Sequence, residues 1–201
     1  SSDLENSIIE YNSKLCTIIK SPEFSSLDDE AIKKIADSTE AKFIKSNDNK
    51  LKMFSWGVFE SLQIPFYSNL LMSNNTRSNM ISRNSNDNND FGENVQYDSI
   101  IDITIQNKSY YVLLGSNKSG NLCLYKTASV YSIIDFAIVK CINVFFDGKN
   151  YLSDIKFDYL INENIKAEPA FSLKNNQIEC PVFNNDKTRL TGTVLYNLII
   201  K

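Results

Sequence analysis

The chain has 201 residues, of which 42% are hydrophobic and 22% charged, which is the balance of a globular protein able to bury a core. Its formal net charge is −3 and charges of both signs are spread along the sequence, which argues against nucleic acid as a partner. No apolar run reaches the roughly 18–20 residues that a transmembrane helix needs. The length predicts a single domain over residues 1–201.

Residues 1–40 are predicted to form a pair of helices. Ser2 and Glu5 have the spacing of a capping box, Pro22 ends the first helix, and Ser26 is the predicted cap of the second. The apolar stripe of the first helix consists of Leu4, Ile8, Tyr11, Leu15 and Ile18. We expect the two helices to pack as a hairpin on a larger body.

Residues 41–201 are predicted to form that body, which is mainly antiparallel β. Many Ile, Phe and Tyr favour strands, and short polar turns such as 46–50 and 147–150 separate them. The apolar run from Ala137 to Phe146 is predicted to be one strand. Because hairpins need no crossover helix, the fold class is α+β, with a helical hairpin followed by an antiparallel β meander. A curved sheet, a barrel and a sandwich all remain open.

The segment 73–94 departs from the composition of the rest of the chain. Eight of its residues are Asn and few are large and apolar. This composition predicts a long flexible loop between two strands. The alternative is a loop that binds a partner.

The four cysteines have no metal or redox spacing. They are Cys16, Cys123, Cys141 and Cys180, and no two form a CxxC pair. One interpretation is four buried thiols that act as small apolar residues. The other is one or two disulfides in an exported protein, with Cys123–Cys141 the first pairing to test because both lie in predicted strands.

The sequence contains no histidine, which removes the commonest general base and the Ser-His-Asp and Cys-His arrangements. No P-loop or GxGxxG motif is present, so we predict no cofactor. Paired carboxylates could still act in hydrolysis. The candidate acids, whose spacing does not separate them from ordinary surface residues, are Asp98, Asp102, Asp135, Asp154 and Asp158. We therefore predict neither catalytic residues nor a metal site.

Four residues are candidates for binding. Trp56 is the single tryptophan and, with Phe54, forms either a core anchor of the sheet or an aromatic platform, which would need exposed rings. Asp87 and Asp90 offer oxygen ligands that could hold a cation, without the order of an EF-hand loop.

Three segments carry a resemblance to a family of uncharacterised exported bacterial proteins. Residues 44–56, IKSNDNKLKMFSW, resemble its S-x-D-G-K-x-R-x-Y-S-W-D motif, although the Asp after Trp56 is missing. Residues 110–115, YYVLLG, resemble its Y-Y-L-L-x-G strand, and Leu190-Thr191-Gly192 resemble its closing T-G motif. The resemblance implies export to the bacterial envelope and supplies no catalytic residues.

These observations favour a non-catalytic binding protein, periplasmic or secreted, with another protein as its partner. An immunity protein that neutralises a toxin is one form of this hypothesis, because an acidic surface suits a basic toxin. The alternatives are a carboxylate-dependent hydrolase of glycans or peptidoglycan, and a structural or adhesin-like envelope module. If Ser1 only marks where an expressed fragment starts, a cytoplasmic location follows instead.

Overall fold

The computed structural model describes residues 2–39, 41–59, 65–73, 78–81, 94–119, 122–163, 165 and 167–200. The described helices are α1 (Ser2–Ile19), α2 (Pro22–Ser25) and α3 (Asp29–Ser38). The described strands are β1 (Lys42–Lys45), β2 (Leu51–Phe59), β3 (Pro65–Ser73), β4 (Ser78–Ile81), β5 (Gln96–Ile105), β6 (Lys108–Ser119), β7 (Cys123–Ile134), β8 (Ala137–Lys140), β9 (Phe145–Phe146), β10 (Tyr151–Leu152), β11 (Asp154–Leu160), β12 (Ser172–Lys174), β13 (Gln177–Phe183) and β14 (Leu190–Leu198).

The helical region differs from the predicted pair by one short helix, α2. Pro22 does not merely end α1: it starts α2, where its fixed backbone angle suits the first helical position. Asp28, not the predicted Ser26, caps α3, because its carboxylate accepts a hydrogen bond from the Ala31 amide at 2.7 Å. Ser26 instead closes α2. The helices pack on the first sheet through a shared apolar cluster.

The strands form three antiparallel sheets, where the sequence predicted an antiparallel meander and left a curved sheet, a barrel and a sandwich open. The first sheet has the order β1-β2-β3-β4. The second has the order β11-β7-β6-β5, and β8 shares the outer edge of β7 with β11. The third has the order β10-β9-β14-β13-β12. Each sheet is open over the strands described, so the barrel alternative was wrong. The chain forms stacked sheets, as in a sandwich.

Three apolar clusters hold the helices and sheets together as four layers. The first cluster joins the helices to the first sheet through Ile19, Phe24, Ile32, Ala36, Ala41, Phe54, Trp56 and Leu70. The second joins the first and second sheets and includes Leu51, Met53, Leu71, Val95, Tyr97, Ile100, Tyr111, Leu113, Tyr131 and Ile138. The third joins the second and third sheets and includes Val112, Val130, Phe145, Ile155, Ile178, Cys180 and Leu198.

The side chains of strand β6 alternate between two apolar clusters. Tyr110 and Val112 face the third sheet, whereas Tyr111 and Leu113 face the first. Successive side chains of a strand point to opposite faces, so a strand covered on both sides reads as a continuous apolar run. The segment Tyr110–Leu114 has that character.

The predicted loop 73–94 is partly ordered. Ser73 is the last residue of β3, and β4 pairs antiparallel with β3, with Asn69 opposite Ile81 and Met72 opposite Ser78. Residues 74–77 and 82–93 lie outside the described residues. The loop prediction was therefore too long, because pairing with a neighbouring strand orders a segment whose composition alone favours disorder.

A candidate binding groove at the β7–β8 hairpin

An open groove of about 1180 Å³ lies at one end of the second and third sheets. Its walls come from the first residues of β6, the β7–β8 hairpin, the loop 141–144 and Tyr151 of β10. We call it the hairpin groove. Its lining includes Lys50, Lys108, Tyr111, Ile134, Phe136, Val139, Cys141, Ile142 and Tyr151.

The rim of the hairpin groove exposes large apolar side chains. Phe136 is 60% exposed, Ile142 is 69% exposed and Ile134 is 54% exposed. Val139 and Tyr151 are each 40% exposed. Single apolar residues on a surface need no explanation, but several gathered around one concave site are typical of an interaction surface.

The hairpin tip holds Phe136 in a backbone conformation that costs free energy. Asp135 and Phe136 have φ angles of 47° and 65°, the left-handed values of a two-residue hairpin turn. Asp tolerates these angles, whereas a bulky residue such as Phe is a rare outlier there. An Asn or Gly would form the turn with less strain. The folding of the hairpin therefore does not explain the exposed ring.

One wall of the hairpin groove is fixed by hydrogen bonds between the first and second sheets. The Tyr111 hydroxyl donates to Asp48 Oδ2 at 3.0 Å. Asp102 accepts from the backbone amides of Asn47 and Asp48, each at 2.9 Å. These bonds bind the β1–β2 turn to the second sheet and hold the Tyr111 ring in place.

The same contacts determine the protonation states of Tyr111 and Asp48. Burial, together with the hydrogen bond to the Asp48 carboxylate, raises the pKa of Tyr111 well above its ordinary value. Burial would also raise the pKa of Asp48, but hydrogen bonds from the Lys50 amide, Ser46 and Tyr111 outweigh it and lower that pKa. At neutral pH the pair is a neutral phenol and a charged carboxylate, so its chemistry is structural and not proton transfer.

Cys141 lines the hairpin groove but is a poor nucleophile. Burial raises the pKa of its thiol to about 11, so the reactive thiolate is scarce at neutral pH.

Cys123–Cys141, the first pairing to test under the disulfide interpretation, is not formed, and both residues are free thiols. The Cys141 amide donates to the Val130 carbonyl, and Cys123 lies seven residues earlier on the same strand. At about 3.3 Å a residue this separation is roughly 23 Å, far beyond the ~7 Å limit between Cα atoms that a disulfide allows. Cys180 is also free, and the side chain of Cys16 lies outside the described residues.

The five candidate acids are dispersed and engaged in structural contacts, except Asp135, which is exposed at the hairpin tip. Asp102 holds the β1–β2 turn, as described above. The remaining partners are Lys42 and Ser116 for Asp98, Ser129 and Lys140 for Asp154, and Lys187 for Asp158. Each of these contacts ties the carboxylate to a neighbouring segment, so these four acids have structural partners in the fold.

Two of the four predicted binding residues, Phe54 and Trp56, are described by the structure, and neither lines the hairpin groove. Phe54 and Trp56 are 1% and 2% exposed beneath the helices, so they are core anchors and the platform interpretation was wrong. Asp87 and Asp90 lie outside the described residues. Sequence reasoning missed Phe136 and Ile142. The only sequence signal is that Phe136, an aromatic residue, occupies a turn position within an apolar run.

Comparison with protein-family models, curated proteins and solved structures finds no match to this chain. Within the described ranges, no cluster of three or more Cys, Asp or Glu side chains could hold a metal ion. In that same part of the chain, α1–α3 include no helix long and apolar enough to cross a membrane.

Proposed function

We propose that the protein is a non-catalytic binding protein that holds a protein partner in the hairpin groove. The observation that carries this proposal is the exposed Phe136 ring, kept at a strained turn beside Ile134 and Ile142. Strain at an exposed site persists where the site has a use, and large aromatic side chains contribute most strongly to protein interfaces. The groove and its rim would supply the desolvated centre of such an interface.

One form of this function is an immunity protein of the bacterial envelope that neutralises a toxin. The net charge of −3 supports association with a basic partner, since opposite potentials steer encounter. The resemblance of residues 44–56 to exported proteins supports the location. The carboxylate-dependent hydrolase is less well supported, because most of its candidate acids are bound to lysines or to a turn.

The Phe136→Asn variant separates binding from stability. Asn tolerates the left-handed backbone, so we expect the free energy of unfolding to rise by about 0.5–1 kcal/mol. The affinity for the partner, measured by titration calorimetry with the product of a neighbouring gene, is expected to fall at least tenfold, or about 1.4 kcal/mol.

Gln106→Asn is the matched control, because Gln106 occupies a hairpin turn with φ of 51° and is not part of the groove lining. It should raise stability in the same way and leave affinity unchanged. Full affinity in Phe136→Asn, or equal loss in both variants, would remove the hairpin groove as the binding site.

A further inference from the structure

Within the described residues, one face of the third sheet packs on the second sheet and the other is the outer face of the stack. Phe145 and Leu198 are buried in the cluster between the second and third sheets. Since neighbouring residues of a strand point to opposite faces, Phe146 and Asn197 point away from that cluster. These two residues are paired across β9 and β14, so both lie on the outer face.

The hairpin groove opens onto this outer face at Tyr151. Tyr151 lines the groove and is also paired with Phe146, and the two rings stack with their centroids 4.6 Å apart. Leu195, which is 45% exposed, lies two residues before Asn197 on β14 and is therefore a diagonal neighbour of Phe146. Diagonal neighbours are about 7–8 Å apart, within reach of an aromatic side chain. Apolar surface thus continues from the groove over Tyr151, Phe146 and Leu195, which we call the sheet patch.

Polar side chains surround the sheet patch. Glu179 is exposed opposite Leu195, and the Gln177 amide donates to Asn197 at 2.8 Å. Lys149 is exposed in the turn between β9 and β10. An apolar centre with a polar rim is the usual anatomy of a protein–protein interface.

The apolar rim of the hairpin groove is by itself smaller than one side of a stable protein interface. Its five exposed side chains present roughly 500 Å² together, if each offers about 200 Å² when fully exposed. A standard interface buries about 800 Å² on each partner. A partner that fills the groove therefore contacts neighbouring surface as well.

The chemistry beside the groove favours the third sheet for this additional contact. On the side of the first sheet the groove meets the ion pair of Lys50 and Asp48, whose charged atoms are 3.3 Å apart. On the side of the third sheet it meets the stacked rings of Tyr151 and Phe146. Charged residues are depleted and aromatic residues enriched at the centres of interfaces, so the sheet patch is the better continuation.

We propose that the protein partner held in the hairpin groove also covers the sheet patch, so that Tyr151 lies near the centre of one continuous interface. This inference rests on the function proposed for the groove and adds the second part of the contact surface. The partner is a folded domain that presents a projecting apolar segment beside a flatter apolar face. A lone peptide seated in the groove would leave Leu195 uncovered.

The Leu195→Lys variant tests the sheet patch, with the same neighbouring-gene product as the probe in titration calorimetry. A lysine at this position lies opposite Glu179, an opposite-charge pair that the sheet tolerates, so near-UV circular dichroism should be unchanged. Affinity is expected to fall at least tenfold, because the ammonium group would be desolvated in the interface. Leu122→Lys is the matched control: Leu122 is 60% exposed and directly precedes β7, at the opposite end of that strand from the groove residue Ile134. It should bind like the wild type.

The two proposals fail in different ways. A tenfold loss in Phe136→Asn with wild-type affinity in Leu195→Lys would overturn the sheet patch and leave the groove as the binding site. Equal losses in Leu195→Lys and Leu122→Lys would also overturn the sheet patch. Wild-type affinity in Phe136→Asn would overturn the groove, and the sheet patch with it.

Lysine acetylation of the unmodified chain gives a second readout that needs no substitution. Lys149 is exposed beside the sheet patch, whereas Lys33 is exposed on α3 at the other end of the stack. Adding the same partner should slow acetylation of Lys149 at least severalfold and leave Lys33 unchanged, as measured by mass spectrometry. Unchanged acetylation of Lys149 in the saturated complex would refute coverage of the sheet patch.

Discussion

Single carboxylates join the first and second sheets at the β1–β2 turn. Asp48 accepts from the Tyr111 hydroxyl, from the Lys50 amide at 3.0 Å and from Ser46 at 2.8 Å. Asp102 accepts from two amides of the same turn. Hydrogen bonds to a charged acceptor are stronger than those between neutral groups, so this turn is a fixed point between the two sheets.

The stability contributed by Asp48 should depend on pH. Hydrogen bonds hold its folded pKa below the unfolded value of about 3.9, so this stability is present above about pH 4 and is lost as pH falls through the folded pKa. We expect Asp48→Asn to lower the free energy of unfolding by about 1–2 kcal/mol at pH 7. The difference should shrink towards zero in strong acid.

Urea denaturation of both proteins at several pH values measures this difference. Asp186→Asn is the control, because Asp186 is exposed and substitutions at exposed positions usually change stability by less than about 0.5 kcal/mol. A difference for Asp48→Asn that stays constant down to strong acid would contradict a lowered pKa.

For single residues, the sequence predicts which chemical groups are present better than it predicts whether a side chain is buried. The absence of histidine and the identity of the acidic residues could be read directly from the sequence. The turn at 46–50 was also predicted. The sequence left open whether Trp56 and Phe54 are buried, because either face of a strand can be exposed to water until the elements packed on it are known. In β2 the helices cover the Phe54 and Trp56 face and the second sheet covers the Met53 face.

Among the elements, β5 and β6 approach each other closely at Gly115. A Cβ atom at this position would lie 2.8 Å from Val95 Cγ2, 3.1 Å from Tyr97 Cδ1 and 3.2 Å from the Gln96 carbonyl oxygen. The pairing of β5 with β6 also shifts register beside Tyr97. The absence of a side chain at Gly115 therefore allows this irregular pairing to close.

Gly115→Ala is expected to lower the free energy of unfolding by about 1–3 kcal/mol, because the added methyl group overpacks a closed site. Urea denaturation measures the change. Gly192→Ala is the matched control within a strand: a Cβ there meets nothing within 4 Å. Its effect should stay within about 0.5 kcal/mol. If the two substitutions cost the same, the close approach at Gly115 is not a constraint.

Elements with a strong local signal were predicted, and those made by pairing were not. The segments of α1 and α3 follow from apolar periodicity, although the predicted cap of α3 at Ser26 was wrong. The run from Ala137 to Phe146 was predicted as one strand, but Asn143 has φ of 54° and divides it into β8 and β9, which join different sheets. Strand β4 exists because β3 offers it a partner. The hairpin groove could not be predicted from the sequence either, because its walls come from segments far apart in sequence.

In the whole molecule, the first and second sheets each contribute to two apolar clusters. The first sheet contacts the helices through Trp56 and the second sheet through Met53. The second sheet contacts the third through Val112 and Ile155, in the cluster that also contains Cys180. No layer can separate without exposing apolar surface on its neighbour, so we expect the layers to unfold together as one domain.

Two probes at opposite ends of the stack test this cooperativity. Trp56 fluorescence reports on the helix side, and the reactivity of Cys180 reports on the third sheet once the other three cysteines are replaced by Ser. Burial raises the pKa of the Cys180 thiol to about 11, so alkylation at neutral pH should be slow until the site opens. Both signals are expected to change at the same urea concentration. Separate midpoints would show two independent folding units.

The alternation in β6 also limits how the sequence can vary. The four buried side chains of residues 110–113 leave this stretch of β6 no position that meets water, so polar replacements there damage one core or the other. Inserting a single residue would exchange both sets of side chains at once. Substitutions should therefore accumulate in the helices and in exposed positions such as Leu190–Thr193 of β14, while β6 changes slowest over evolutionary time.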